Sequence, residues 1–133
     1  MAIFDPTSCA GRGEAHKTAC DLNHVMQSAG LCMFGYLCLD ANHVHEFLNL
    51  VTGSNHTFDD VFKIGERIGN IRQAFNIREG ITTKDFKIPD RILGCPPLAD
   101  GPNAGKEVDL ATLRREYFIA MDWDSESGKP SKA

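Results

Sequence analysis

The chain has 133 residues, a length that suits one domain with a core of its own. Hydrophobic residues make up 42% and charged residues 24%, so wholesale disorder is not expected. A formal net charge of −4 argues against nucleic acid or an anionic membrane as a partner, since both favour basic surfaces. No apolar run approaches the ~20 residues of a membrane span, and the first residues do not resemble a signal peptide. We therefore expect a cytoplasmic protein.

The first half of the chain predicts helices. Residues 14–29 place apolar side chains three and four apart, as one face of a helix does, and Gly30 is expected to end that helix. The apolar run 31–39 fits a short buried helix or a buried strand. We favour a helix, because the other clear elements are helical. Asp40 is expected to cap a further helix over residues 41–52.

The clearest helix is predicted to begin after Thr57, where Thr57 and Asp60 resemble a capping box. Gly65 and Gly69 lie one turn apart in this helix, although Gly costs about 1 kcal/mol in a helix interior. Two such residues indicate that another backbone packs very close. Gly80 is expected to end the helix. An apolar seam at steps of three and four is predicted to face the core: Val61, Ile64, Ile68, Ile71 and Phe75.

Residues 81–107 contain four prolines and three glycines, so regular structure is not expected there. Such a long loop is unusual in a compact domain, and we predict that it wraps over a surface of this chain or of a partner. A last helix is predicted from Leu110 to about Asp122, with Asp109 as its cap.

No segment alternates as a strand does, so the predicted class is all-α. The predicted fold is an irregular bundle of about four to five helices with a long Pro/Gly-rich loop. We divide the chain into an N-terminal lead-in, a helical domain and a flexible tail, at residues 1–10, 11–124 and 125–133.

The candidate chemistry rests on cysteine and histidine. The sequence contains neither G-x-S-x-G nor a phosphate-binding glycine motif, and we predict no catalytic residue. The five cysteines include no C-x-x-C pair, which favours reduced thiols over a disulfide framework. Cys20 and His24 share a face of the first helix, and Cys32 and Cys38 follow. These four residues could bind zinc, although their spacing matches no usual zinc pattern.

Cys32 is distinct, because it lies just past a predicted helix end. Backbone N–H groups near such a junction favour a thiolate that could serve as a metal ligand. Cys20, Cys38 and Cys95 can instead be explained as buried cysteines that act as small hydrophobic side chains.

Several short motifs, taken in order, resemble the C-terminal domain of the tungstopterin aldehyde ferredoxin oxidoreductases. The resemblance covers about residues 11–130. Its motifs are Gly30-Leu31-Cys32, Gly65-Glu66-Arg67-Ile68, Phe75-Asn76-Ile77-Arg78-Glu79-Gly80, Pro89-Asp90-Arg91, Gly101-Pro102 with Gly105, Glu116-Tyr117, Trp123-Asp124, Gly128 and Pro130.

The resemblance implies part of a larger oxidoreductase. In that family a tungsten–pterin cofactor of the molybdopterin type lies beside a [4Fe–4S] cluster, and electrons leave to ferredoxin or another electron carrier. Cys32 matches the family's fourth cluster cysteine, and Gln27, Gly30 and Leu31 match positions beside the pterin. Gln27 stands where the family commonly has Asp, and Met33 where it frequently has Lys. These departures indicate a divergent branch, and a relative that acts on another substrate, such as the tungsten subunit of an aromatic-ring-reducing acyl-CoA reductase, is an alternative.

A [4Fe–4S] cluster needs four thiolates, and this chain lacks the C-x-x-C-x-x-x-C run that carries the other three. We therefore expect a missing N-terminal tungstopterin domain as the partner, and no activity or bound cofactor in this chain alone. The chain also lacks the short apolar helix that usually closes the family, which indicates truncation. An exposed apolar docking face, and hence homo-oligomerisation, would follow. The alternative is a stand-alone helical interaction or zinc-binding module without enzymatic activity.

Overall fold

The computed structural model describes residues 8–36, 38, 40 and 42–131, with the backbone alone for Tyr36. Its helices are α1 (Gly13–Ser28), α2 (Met33–Tyr36), α3 (Asn42–Thr52), α4 (Phe58–Arg78), α5 (Asp90–Leu93) and α6 (Leu110–Ala120). Across these residues there are two isolated β-bridges and no β-strand. The predicted all-α class is confirmed, and two four-residue helices, α2 and α5, accompany the four longer ones.

Helix α1 lies at the centre of the bundle and packs along both α4 and α6, whereas α3 packs more lightly on α4. The core forms where α1, α3 and α4 meet. Four of its side chains are buried: Val25, Met26, Val44 and Val61. The partly buried Leu22, Leu48, Ile64 and Ile68 pack around them. Burial of apolar area at this junction is the main force that orders the three helices.

Local capping explains where the long helices begin. The predicted capping box is confirmed, since Thr57 Oγ1 accepts from the backbone N–H of Asp60 at 3.3 Å, and Asp60 Oδ2 accepts from that of Thr57 at 2.9 Å. The Asp109 carboxylate accepts from the N–H of Thr112 at 3.0 Å and caps α6, also as predicted. Each cap pairs backbone donors that a helix start leaves free.

The predicted close approach at α4 is confirmed at Gly65. A Cβ atom at Gly65 would overlap the backbone of Asp21 in α1, so no residue with a side chain fits there without a shift. At Gly69 the neighbour is instead the ring of His24, which lies 3.3 Å from the position a Cβ would take. Helices α1 and α4 therefore meet most closely around Gly65.

The core interpretation of the α4 seam is wrong for its last two members. Val61 is buried and Ile64 and Ile68 pack on the core, but Ile71 is 64% and Phe75 53% exposed. The reason is that α4 turns its glycine side toward α1, while α3 contributes Val44 and Leu48 to the cluster around Val61, Ile64 and Ile68. No element of the described chain buries Ile71 and Phe75.

Three further predictions need correction. The short helix predicted within residues 31–39 is present as α2, but it is not buried, since Met33 is 58% and Phe34 73% exposed. The segment 81–107 is not wholly irregular, since it contains α5, and the N–H of Val108 donates to the carbonyl of Leu93 at 2.9 Å to close the loop behind it. Helix α6 ends at Ala120 instead of about Asp122, because Asp122 adopts a left-handed φ of 55° and turns the chain.

After this turn the chain packs back onto the bundle. Trp123 contacts the rings of Tyr117 and Phe118, and its indole N–H donates to Asn70 Oδ1 at 2.6 Å. Gln73 Nε2 donates to the carbonyl of Gly128 at 2.9 Å. Flexibility of the tail stays a prediction, but its first residues make specific contacts with α4 and α6. Within the described residues, no helix has both the length and the apolarity to cross a bilayer.

Candidate functional site

The turn that ends α1 determines where the predicted site residues lie. Gly30 has a left-handed φ of 73°, and its N–H donates to the carbonyl of Gln27 at 3.2 Å. The N–H of Leu31 donates to the carbonyl of Met26 at 3.0 Å. These two bonds form a Schellman motif, which favours glycine at the left-handed position. The motif gives the chain a defined exit from α1 and brings Cys32 immediately after it.

Cys32 directly precedes α2, and its side chain is exposed. Backbone N–H groups of Gly35 and Phe34 donate to the sulfur and lower the pKa of the thiol from its ordinary value. A thiolate is the form of cysteine that binds metals. An exposed sulfur with a lowered pKa suits a metal ligand, and that role of Cys32 stays a prediction.

The four predicted site residues lie together at the junction of α1 and α2. Gln27, Gly30 and Leu31 are exposed, as is Cys32. The Gln27 side chain makes no hydrogen bond with the residues that the structure describes, so its amide is available to a ligand or another domain. Their roles beside a pterin stay a prediction.

The other cysteines and histidines do not assemble a metal site. Across the described residues, no group of three or more His, Cys, Asp or Glu side chains could hold an ion. The sulfur of Cys20 instead lies 3.6 Å from His16 Nε2 and is hydrogen-bonded to the Tyr117 side chain. Burial raises the pKa of the Cys20 thiol. The ring of His24 pairs with Arg72 at 3.2 Å. The zinc set predicted as the alternative, Cys20 and His24 with Cys32 and Cys38, is therefore not formed by these residues.

A feature that the sequence analysis missed is a groove of about 820 Å³ over α1, with α4 on one side and α6 on the other. Three arginines, two histidines and four aromatic residues are among its lining side chains: Arg12, Arg72, Arg114, His16, His24, Phe86, Tyr117, Phe118 and Trp123. The groove joins residues about 100 positions apart, so no local motif reveals it.

The fold and the α1–α2 turn thus define a helical domain that presents the exposed Cys32 thiol, with a lowered pKa, directly after a glycine turn. The family model described as aldehyde ferredoxin oxidoreductase, domains 2 and 3, matches residues 2–133. The tungsten-containing aldehyde ferredoxin oxidoreductase of Pyrococcus furiosus is 37% identical over 113 residues, which cover 84% of this chain and 18% of the relative. That of Thermococcus kodakarensis is 34% identical over 111 residues, with 83% and 18% covered.

The chain belongs to the aldehyde ferredoxin oxidoreductase family. This confirms the resemblance inferred from the ordered motifs. The chain spans about 18% of the length of these relatives and matches their C-terminal part.

Proposed function

We propose that this chain is the C-terminal helical part of a tungstopterin and iron–sulfur oxidoreductase, in which Cys32 supplies one thiolate to a [4Fe–4S] cluster. The observation that carries the proposal is the exposed, N–H-stabilised sulfur at the α1–α2 junction of a chain that belongs to this family. The relatives are named as tungsten-containing enzymes, which supports a tungsten cofactor in the complete protein.

The residues around Cys32 fit a cluster ligand. The Schellman motif holds the backbone up to Leu31, and the N–H groups of Phe34 and Gly35 favour the charged sulfur, as hydrogen bonds to cluster sulfurs do. When bound, the cluster supplies one-electron transfer between the tungsten–pterin centre and an external carrier, which we propose to be ferredoxin.

Gln27, Gly30 and Leu31 are proposed to contact the pterin side of the centre. The Gln27 amide can donate and accept hydrogen bonds but carries no negative charge. This chain would therefore bind the pterin through neutral contacts at that position. Oxidation of an aldehyde is the reaction that we propose for the complete enzyme.

The chain alone should be inactive. Its described residues bring no further cysteine into a metal site with Cys32, and a cluster of this kind needs four thiolates. We propose that an N-terminal tungstopterin domain supplies the remaining ligands and docks against the α1–α2 junction. The chain purified without oxygen should then be colourless and contain less iron than one cluster requires.

The decisive experiment is Cys32→Ser in the complete enzyme, which contains both this helical part and the tungstopterin domain. We expect loss of the cluster's visible absorption and of most of its iron, because serine replaces one of four thiolates. Cys38→Ser is the matched control, since Cys38 is also exposed and lies six residues further along. Cys95→Ser is a second control. Equal iron content in wild type and Cys32→Ser would refute the proposal.

A further inference from the structure

We propose that the groove over α1 is a binding site for a small organic carboxylate with an apolar body. This site is separate from Cys32 and does not depend on the proposed cluster role. Its volume of about 820 Å³ lies within the roughly 300–1,000 Å³ typical of small-molecule sites.

Small residues give the groove its depth. Ala15 and Ala19 of α1 line it, as does Gly69 of α4. Since α1 packs against both α4 and α6, these short side chains lie at the base of the channel between the two outer helices. The segment that follows α4 contributes Thr83, Phe86 and Ile88 to the lining.

One side of the groove is an aromatic wall that is held in place before any ligand binds. The ring of Trp123 lies edge-on to Tyr117, with centroids 5.7 Å apart, and tilted on Phe118 at 5.8 Å. The Trp123 indole N–H donates to Asn70 Oδ1, and this hydrogen bond fixes the orientation of the ring. A preformed apolar wall of this kind suits the hydrocarbon body of a ligand.

The charge of the groove points to an anion. Arginines and histidines line it and, among the residues that the structure describes, no Asp or Glu does, although the whole chain has a formal net charge of −4. Arg114 makes no hydrogen bond or ion pair with the described residues. Among the described residues, the Arg72 side chain bonds to the ring of His24 alone, and burial, with the nearby Arg72, lowers the pKa of that ring.

A histidine ring carries no negative charge in either protonation state, so His24 does not neutralise the charge of Arg72. Along α4, residues 67–78 include no carboxylate. Guanidinium groups bind carboxylates through paired hydrogen bonds, and a concave, partly apolar surface strengthens their attraction for an anion. Arg72 on α4 and Arg114 on α6 are the groups that we assign to the ligand's carboxylate.

The test titrates the full 133-residue chain with sodium benzoate and, separately, with benzamide, a neutral molecule of similar shape. Trp123 is the only tryptophan of the chain and lines the groove, so its indole N–H resonance reports on the site directly. We expect a saturable shift with benzoate and a dissociation constant roughly tenfold higher for benzamide, because it cannot form a charged pair.

Two sets of variants locate the binding. Arg72→Gln combined with Arg114→Gln should raise the benzoate dissociation constant about tenfold or more. Arg115→Gln, which removes the same charge from the neighbouring position on α6 but not from the lining, should change it by less than about twofold. Ala19→Leu keeps both arginines and helix propensity but fills the base, so it should abolish the shift even if the double variant fails to fold.

Four outcomes with the chain alone would overturn the proposal. They are equal affinity for benzoate and benzamide, equal weakening by Arg115→Gln, unchanged binding in Ala19→Leu, and no saturable shift up to about 50 mM benzoate, well above the millimolar range of weak ligands. A partner domain that inserts its own carboxylate would abolish the benzoate response when it is added. That result would overturn the assignment of a free ligand while leaving the role of Cys32 intact.

Discussion

Glu116 ties the two ends of the domain together through one carboxylate. Its oxygens accept the backbone N–H groups of Gly11, Arg12 and Gly13 at 2.9, 2.8 and 3.3 Å. These groups begin α1, whose own N-cap residue provides no side-chain cap. Bonds from Gly11 and Arg12 lower the pKa of Glu116 from its ordinary value. A residue of α6 therefore caps α1 from the far end of the chain.

We predict that Glu116→Gln flattens the acid side of the stability profile. The folded pKa of Glu116 lies below its unfolded value, so its contribution is present above the unfolded pKa of about 4.5 and is lost as pH falls through the folded pKa. The wild-type free energy of unfolding should therefore fall more steeply below about pH 5 than that of Glu116→Gln, as measured by urea denaturation at several pH values.

The pKa of the buried Asp21 is shifted in the opposite direction to that of Glu116. Burial raises the pKa of Asp21 despite the Lys17 ammonium at 2.8 Å. The contribution of Asp21 to the free energy of unfolding is therefore lost as pH rises through its raised, folded-state pKa. Asp21 is common to wild type and variant, and its effect cancels in their difference. Glu46→Gln is the matched control, since Glu46 is exposed on α3 and makes no side-chain hydrogen bond with the described residues. Parallel profiles for wild type and Glu116→Gln would contradict the prediction.

The sequence predicts contacts between residues that are close in the chain, but not the contact of Glu116 with the start of α1. The capping box of Thr57 and Asp60 spans three positions and was predicted from the sequence. Glu116 and Gly11 are 105 positions apart, so their contact depends on how α1 and α6 pack. The same limit applies to the groove, where Arg72 and Arg114 approach one cavity only in the folded chain.

At the scale of elements, the contact of α1 with α4 is organised by Gly65. The apolar seam of α4 lies beside this contact instead of at its centre, which is why Ile71 and Phe75 remain exposed. Hydrophobic periodicity predicts which residues share a helix face, but it does not show how far along that face a neighbour extends. The four longer helices were predicted within a few residues, because each repeats its apolar spacing over several turns. The four-residue α5 in the loop is too short to show such a repeat and was missed.

We predict that Gly65→Ala destabilises the domain. Alanine gains about 1 kcal/mol of helix propensity, but its Cβ overlaps the backbone of Asp21, which can relieve the overlap only if the helices move apart. The net loss should be about 2 kcal/mol in the free energy of unfolding. Gly69→Ala is the matched control, because the ring of His24 beside it can rotate, and its change should stay within about 1 kcal/mol. A stabilised Gly65→Ala would show that the interface is loose.

At the scale of the whole molecule, the most exposed apolar side chains of the described residues belong to α2 and α3. Phe34 of α2 is 73% exposed, and Leu50 and Val51 of α3 are 81% and 86% exposed. Val44 and Leu48 of α3 pack toward the core, so this short helix is apolar on more than one side. Cys32 lies between α1 and these residues in the chain. If the cluster partners of Cys32 come from another domain, that domain must approach the α1–α2 junction, and we propose that it also covers these side chains.

The outer face of α3, formed by Phe47, Leu50 and Val51, should therefore make the chain self-associate when it is alone. Exposed apolar patches of this kind attract one another in water, because association removes them from solvent. We expect the chain to elute above its monomer mass of 14.6 kDa and to bind an apolar fluorescent dye. Leu50→Glu combined with Val51→Glu should restore the monomer, since two charges would repel across any such contact, and should also weaken assembly with the tungstopterin domain. Ile119→Glu, at an exposed apolar position on α6, is the control and should change neither property. A wild-type chain that is monomeric and binds no dye would instead favour the stand-alone helical module, because it would then have no exposed apolar docking surface for another domain.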